Sequence, residues 1–211
     1  MLLNDKVAVI TGAASARGLG FATARLFAEQ GARVAILDLD ADAAAAAAAQ
    51  LGDQHLGLAA DVTNEHQVQQ AIAEVINRYG RIDVLVNNAG ITQPLKLMEI
   101  AQNNYDAVLD VSLLGTLLAS QAVIPTMRAQ GSGSIVCISS VSAQRGGGIF
   151  GGPHYSAAKA GVLGLAKAMA RELGPDNIRV NAITPGLIQT AITAGKLTEE
   201  MRRNILAGIT L

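Results

Sequence analysis

Val7-Ala8-Val9-Ile10-Thr11-Gly12-Ala13-Ala14-Ser15-Ala16-Arg17-Gly18-Leu19-Gly20 joins an apolar run to a glycine-rich turn, and Phe21, Ala24 and Phe27 follow at helical spacing. The change from a continuous apolar run to a three- and four-residue period predicts a strand over 7–10, a turn, and then a helix. Glycines let the backbone approach a ligand closely, and the free amides and dipole of a helix N-terminus suit a pyrophosphate. A ligand-free strand-to-helix turn would use the same residues, but a position right after the first strand favours binding at Gly12, Ser15, Arg17, Gly18, Leu19 and Gly20.

The alternation continues outward from this segment. Apolar runs at 33–37, 56–60, 82–86, 134–138 and 178–183 give six candidate strands in all, and helical patterns such as Val68, Ile72, Val75 and Ile76 lie between them. Near-continuous apolar strands separated by helices predict a parallel sheet covered on both faces, a doubly wound α/β domain spanning 1–211. The seven alanines at 43–49 follow Asp40 and Asp42 and precede Gly52, which predicts a short packed helix rather than low complexity. The glycines at 146–148 and 151–152 predict a loop beside a site.

Composition narrows the partners. Sixteen Lys and Arg stand against seventeen Asp and Glu, so no basic field draws nucleic acid or an acidic membrane surface. No apolar run reaches the length of a membrane span, and the N-terminus lacks a signal-peptide pattern. The single cysteine, Cys137, sits in an apolar run and reads as a small buried hydrophobe, which excludes a disulfide framework. The expected location is the cytoplasm.

Two further features carry chemistry. Asp38 ends the second strand, where a carboxylate can accept from both hydroxyls of an adenosine ribose; the alternative is a cap on the next helix. Tyr155 and Lys159 are four apart at the head of a helix, so phenol and ammonium share one face. A free phenol titrates near 10, and a neighbouring cation would make it a usable acid–base group.

In order along the chain stand Thr11-Gly12 to Gly20, Asp61-Val62, Asn87-Asn88-Ala89-Gly90, Ile138-Ser139-Ser140, Tyr155 to Lys159 and Pro185-Gly186. This ordered set resembles the short-chain dehydrogenase/reductase family, especially bacterial 3-oxoacyl-carrier-protein reductases and polyol dehydrogenases. The resemblance implies a Rossmann domain that binds NAD or NADP and interconverts a ketone and a secondary alcohol, assembled as a homodimer or homotetramer. It implies Tyr155 as acid/base, Lys159 on the nicotinamide ribose and Ser140 on the substrate oxygen, with Ser139 and Ser142 as rivals for that last role. Asp61 and Val62 would border the adenine, Asn88 and Gly90 line the cleft, and Pro185, Gly186, Ile188 and Thr190 meet the nicotinamide end. The charged segment 198–203 would be a solvated helix face or part of a lid.

Three departures from the family pattern stand out. The turn carries two more residues between Gly12 and Gly18 than is usual, and Ser112 takes the place of the asparagine that holds a proton-relay water. The chain also stops at Leu211, before the last helix and seventh strand of relatives. Asp38 favours NAD, because a 2′-phosphate would bring like charges together, while Arg17 could clamp such a phosphate, pair with Asp38, or reach solvent. His154 reads as a pocket wall or helix-start residue rather than a catalytic group, and His55 and His66 lack partners at metal-ligand spacing. Two other readings are a Rossmann methyltransferase, which has no use for the tyrosine–lysine pair, and a non-catalytic dinucleotide sensor.

Overall fold

A computed structural model describes residues 1–147, 150–190 and 197–207. Its sheet has six strands: β1 (Val7–Thr11), β2 (Arg33–Asp38), β3 (Leu56–Ala59), β4 (Val84–Asn87), β5 (Gly133–Ile138) and β6 (Ile178–Ile183). They run in the order β3-β2-β1-β4-β5-β6, every neighbouring pair parallel. The order reverses between β1 and β4, which opens a crevice at their carboxyl ends. Thr11 belongs to β1 rather than to the turn, and β4 begins at Val84 rather than Ile82. The cause of the later start is Gln130, whose amide accepts from the Ile82 backbone N–H and donates to its carbonyl at 3.0 and 2.8 Å.

Side-chain alternation along these strands makes two cores, one per face. On one face Ile10, Val34, Ile36 and Val86 pack against Phe21 and Ala24 of α1 (Leu19–Glu29) and Ala44 and Ala47 of α2 (Ala41–Ala49). On the other, Val7, Val9, Leu37, Leu85 and Ile135 meet α3 (Glu65–Tyr79), α5 (Gly115–Gln130) and α7 (Pro153–Leu173). Cys137 is fully buried there, as the sequence suggests.

The remaining helices refine the reading. α4 (Gln102–Leu109) runs through a π-helical turn, Asp110–Leu114, into α5. The resulting stretch, Gln102–Gln130, is long and apolar enough by length and composition to cross a membrane, which corrects the expectation that no run reaches that length. Its Val108, Ala119, Val123 and Met127 are fully buried against the sheet and neighbouring helices, as in a core helix. A short helix, α6 (Ser142–Arg145), precedes the glycine-rich loop; Gly148 lies outside the described residues. The charged segment forms α8 (Glu199–Ala207), started by Thr198 Oγ1 accepting from the Met201 N–H at 3.1 Å.

The alanine run is a helix for the reason its flanks give: Asp40 Oδ1 accepts from the Asp42 and Ala43 N–H groups at 2.9 and 3.0 Å. Its small side chains let α2 lie unusually close to β3. A β-carbon built on Gly57 would stand 2.1 Å from the Ala44 carbonyl oxygen, a backbone atom that cannot turn aside. Gly57→Ala should therefore cost about 3 kcal/mol and lower Tm by about 10 °C, read by thermal unfolding, whereas Gly164→Ala in α7, where a β-carbon meets nothing within 4 Å, should not lower it.

Candidate active site

The crevice between β1 and β4 is shaped by backbone first. Gly12 adopts φ +63°, and a β-carbon there would fall 2.7 Å from the Ala89 Cα, so the turn passes directly over β4's end. Thr11 Oγ1 accepts from the Asn88 and Ala89 N–H groups at 3.1 Å each, while Asn88 Nδ2 donates to the Thr11 and Gly12 carbonyls at 3.0 and 2.8 Å. The Asn88 side chain thus serves as a strut for the turn, at the carboxyl ends of the strands where the crevice opens.

α1 begins at Leu19 with Gly18 as N-cap and no side chain on its free amides, whereas Asp40 and Asn64 cap α2 and α3. Ser15 and Arg17 are exposed on the turn leading to it. Asp38, the last residue of β2, accepts through Oδ2 from the Ala14 N–H at 2.8 Å and through Oδ1 from the Leu39 N–H at 2.9 Å. It does not cap α2, and Arg17 is directed to solvent rather than to Asp38. The uncapped amides, the adjacent carboxylate and the close-passing glycine backbone fit a pyrophosphate-linked dinucleotide. Asp61 Oδ1 accepts from the Thr63 N–H and hydroxyl, and Val62 packs against Gly115 at the π-helical turn, so both stand at the end of β3 beside the crevice.

The other side of the crevice carries the reactive groups. Lys159 is buried, and its Nζ donates to the Ile138 carbonyl at 2.8 Å. A β-carbon on Gly90 would lie 3.1 Å from that Nζ and 3.6 Å from Ser112 Oγ, so a side chain at this position would crowd both groups. Ser112 sits inside the π-helical turn, fully buried, with no hydrogen-bond partner for its hydroxyl among the described residues. Ser140 is next to Tyr155 and accepts from the Ser142 N–H at 3.1 Å. Ser139 points away, donating to the Lys159 carbonyl at 2.7 Å, and Ser142 contributes its backbone, so the structure brings Ser140 and neither rival to the phenol. Pro185 holds the loop after β5 by accepting from the Val141 N–H at 3.1 Å; Gly186 and Ile188 are exposed and Thr190 is half-buried on the same segment.

Electrostatics departs from expectation. Burial lowers Lys159 to about 8. Burial also raises Tyr155 above its ordinary value, with the Ser140 hydroxyl acting in the lowering sense. Lys159 lies 5.9 Å from the ring centroid, and desolvation outweighs the other influences on the phenol in this structure. Cys137 is pushed up to about 11 by burial, which makes its thiol unreactive.

Sequence reasoning missed Gln93. It follows the asparagine–glycine segment by three residues and carries no motif signal, yet its side-chain oxygen lies 3.3 Å from His154 Nε2 and its carbonyl accepts from the Gly152 N–H at 3.1 Å. His154 is buried at the helix start, where the sequence places it.

A doubly wound sheet with a glycine-rich turn after β1 and a buried lysine, a half-buried tyrosine and a serine across the crevice defines a dinucleotide-linked oxidoreductase. The short chain dehydrogenase family matches residues 6–201. The chain is 60% identical to an uncharacterized short-chain type dehydrogenase/reductase of Sinorhizobium fredii over 100% of its own length and 85% of that protein. It is 43% identical to a 3-oxoacyl-[acyl-carrier-protein] reductase of Thermotoga maritima, again over 100% and 85%. It is also 43% identical to the (2S)-[(R)-hydroxy(phenyl)methyl]succinyl-CoA dehydrogenase subunit of Thauera aromatica, over 90% and 76%. A short-chain type dehydrogenase/reductase crystal structure from Mycobacterium marinum superposes with a TM-score of 0.86 at 34% identity, covering 91% of this chain and 76% of that one. The chain belongs to the short-chain dehydrogenase/reductase family, an NAD(P)-binding family of oxidoreductases.

A buried ammonium whose value is depressed destabilises the fold below about pH 8 and ceases to do so as it loses its proton on the way to 10.5. Lys159→Met should therefore melt higher than the parent at pH 7, with the gap closing between pH 8 and 10. Thermal unfolding across that range checks it, and a gap independent of pH would contradict the sign.

Proposed function

We propose that this chain interconverts a ketone and a secondary alcohol, with Tyr155 as the proton donor and acceptor. The observation that carries the reading is the juxtaposition of Tyr155, Ser140 and Lys159 around the crevice end nearest Gly90. The bound nicotinamide supplies or accepts the hydride. The α1 N-terminal amides with Gly18 and Leu19 would hold its pyrophosphate, Asp38 the adenosine ribose, Asp61 and Val62 the adenine, and Lys159 the second ribose. Ile188 and Thr190 would border the nicotinamide end.

The chain's own residues divide the work. Burial keeps the Tyr155 phenol protonated at neutral pH, which suits it to deliver a proton to a carbonyl oxygen in the reductive direction. Ser140 donates to the same oxygen and orients it. Lys159 offers a cation that can lose its proton near pH 8, and Ser112 supplies a buried hydroxyl beside it for a proton-carrying water. The names of two relatives, one a 3-oxoacyl-[acyl-carrier-protein] reductase and one a succinyl-CoA dehydrogenase, favour an acyl thioester as carrier of the reacting carbonyl. The protein acts in the cytoplasm as a dimer or tetramer of identical chains on this reading.

Two measurements test it. Tyr155→Phe should reduce kcat on a 3-oxoacyl thioester by about 100-fold or more while the Kd for NADH changes less than about twofold. NADH binding without oxidation by the parent would favour a sensor. The cofactor is NAD in this proposal, because Asp38 is held at the end of β2 by two backbone amides while Arg17 has no such tether. The ratio of kcat/KM for NADH over NADPH should exceed one and fall by about tenfold in Asp38→Ala. A preference of the parent for NADPH would overturn that choice.

A further inference from the structure

The head of α7 is poorly held by its own helix. Its N-cap, Gly152, has no side chain with which to cap the free amides of the first turn. Tyr155 stands in this first turn, where helices fray, one turn before Lys159, which the Ile138 carbonyl pins. Something outside the helix must therefore fix the phenol relative to the ammonium.

Three contacts from the loop after β4 do so. Thr92 Oγ1 donates to the Phe150 carbonyl, the Gly152 N–H donates to the Gln93 carbonyl at 3.1 Å, and His154 Nε2 donates to Gln93 Oε1 at 3.3 Å. The two glycines before the helix are moulded to the two rings that follow. A β-carbon on Gly151 would lie 2.5 Å from Tyr155 Cδ1, and one on Gly152 would lie 3.0 Å from His154 Nδ1 and 2.5 Å from the Leu95 carbonyl oxygen. His154 is buried with its second ring nitrogen unpartnered among the described residues, so Gln93 is its one polar tie.

We propose that Gln93 and His154 are positioning residues: they latch the loop after β4 to the head of α7 and so hold Tyr155 at its working place against Ser140 and Lys159. The proposal rests on the oxidoreductase reading above, and it adds two residues to the machinery that touch neither the phenol oxygen nor Lys159. The latch acts on the proton-transfer group and leaves the pinned lysine alone. Its loss therefore lowers turnover and spares cofactor binding.

Gln93→Leu removes the acceptor, and Gln93→Glu keeps an acceptor oxygen in the same place. In the full chain, Gln93→Leu should lower kcat by about tenfold, leave the Kd for NADH within about twofold, and speed amide hydrogen exchange at Ser156, Ala157 and Ala158 by about fivefold. Gln93→Glu should return kcat to within about threefold of the parent, and His154→Phe, which refills the ring seat without the donor, should behave as Gln93→Leu does. Faster exchange with unchanged kcat would show a merely structural tie and overturn the proposal, as would a fall in kcat matched by an equal loss of NADH affinity. Should the parent reduce no carbonyl, the oxidoreductase reading falls, and the latch is then judged on exchange alone: unchanged exchange in Gln93→Leu overturns it.

Discussion

The site depends on one stitch between the two central strands. Thr11 at the end of β1 and Asn88 just past β4 exchange hydrogen bonds through side chain and backbone, with Asn88 reaching on to the Gly12 carbonyl. Both strands are buried on either face, so their carboxyl ends would otherwise leave polar backbone groups short of partners next to the crevice. Satisfying them side by side fixes the gap in which the turn, Gly90 and the buried lysine face each other. The strand order makes this the only place in the sheet where connections leave in opposite directions, and the stitch sits there.

From that point the molecule trades stability for chemistry in small, local amounts. Lys159 is a charge taken out of water and given a carbonyl; Ser112 is a hydroxyl buried without a partner among the described residues; Tyr155 is a half-buried phenol. Each would be replaced by an apolar side chain if packing were all that mattered, and all three converge on the same end of the crevice. At the opposite end of the sheet, Asp83 is equally buried but amply paired, accepting from the Val7 N–H at 2.9 Å and from Arg81 at 2.6 and 2.8 Å. Desolvation raises that carboxyl, yet the Arg81 and Val7 bonds bring it below its ordinary value, the signature of a group that holds structure together.

How much was legible follows from the range of the interactions. β1, β2 and β4 could be read because their continuous apolar runs reflect burial on both faces, and β6, exposed at four of its six positions, still appears with the limits its pattern suggests. The alanine helix could be read because Asp40 caps it locally, and Asp38 and Tyr155 fall where strand end and helix head put them. Errors arose where a distant residue intervened. Gln130 takes the backbone of Ile82 out of β4 from 48 residues away, and a continuous helix across Asp110–Leu114 makes one long apolar rod where no apolar run of membrane-span length was expected.

What the amino-acid sequence determined by itself was the alternation of elements, the class of fold, the identity of the turn and the pairing of tyrosine with lysine four residues on, because each depends on neighbours within one strand or one helical turn. What only the tertiary structure decided was the assignment of roles among similar residues. Ser140 rather than Ser139 meets the phenol, Asn88 braces the turn, Asp38 caps no helix, and Gln93 ties itself to His154. The physical reason is that these hydrogen bonds join groups from different strands and loops, and their directions are set by how the sheet twists and which backbone amides are left unpaired at its carboxyl edge. The pKa directions of Tyr155 and Lys159 belong with them, since desolvation is a property of everything packed around a group and of nothing in its own stretch of chain.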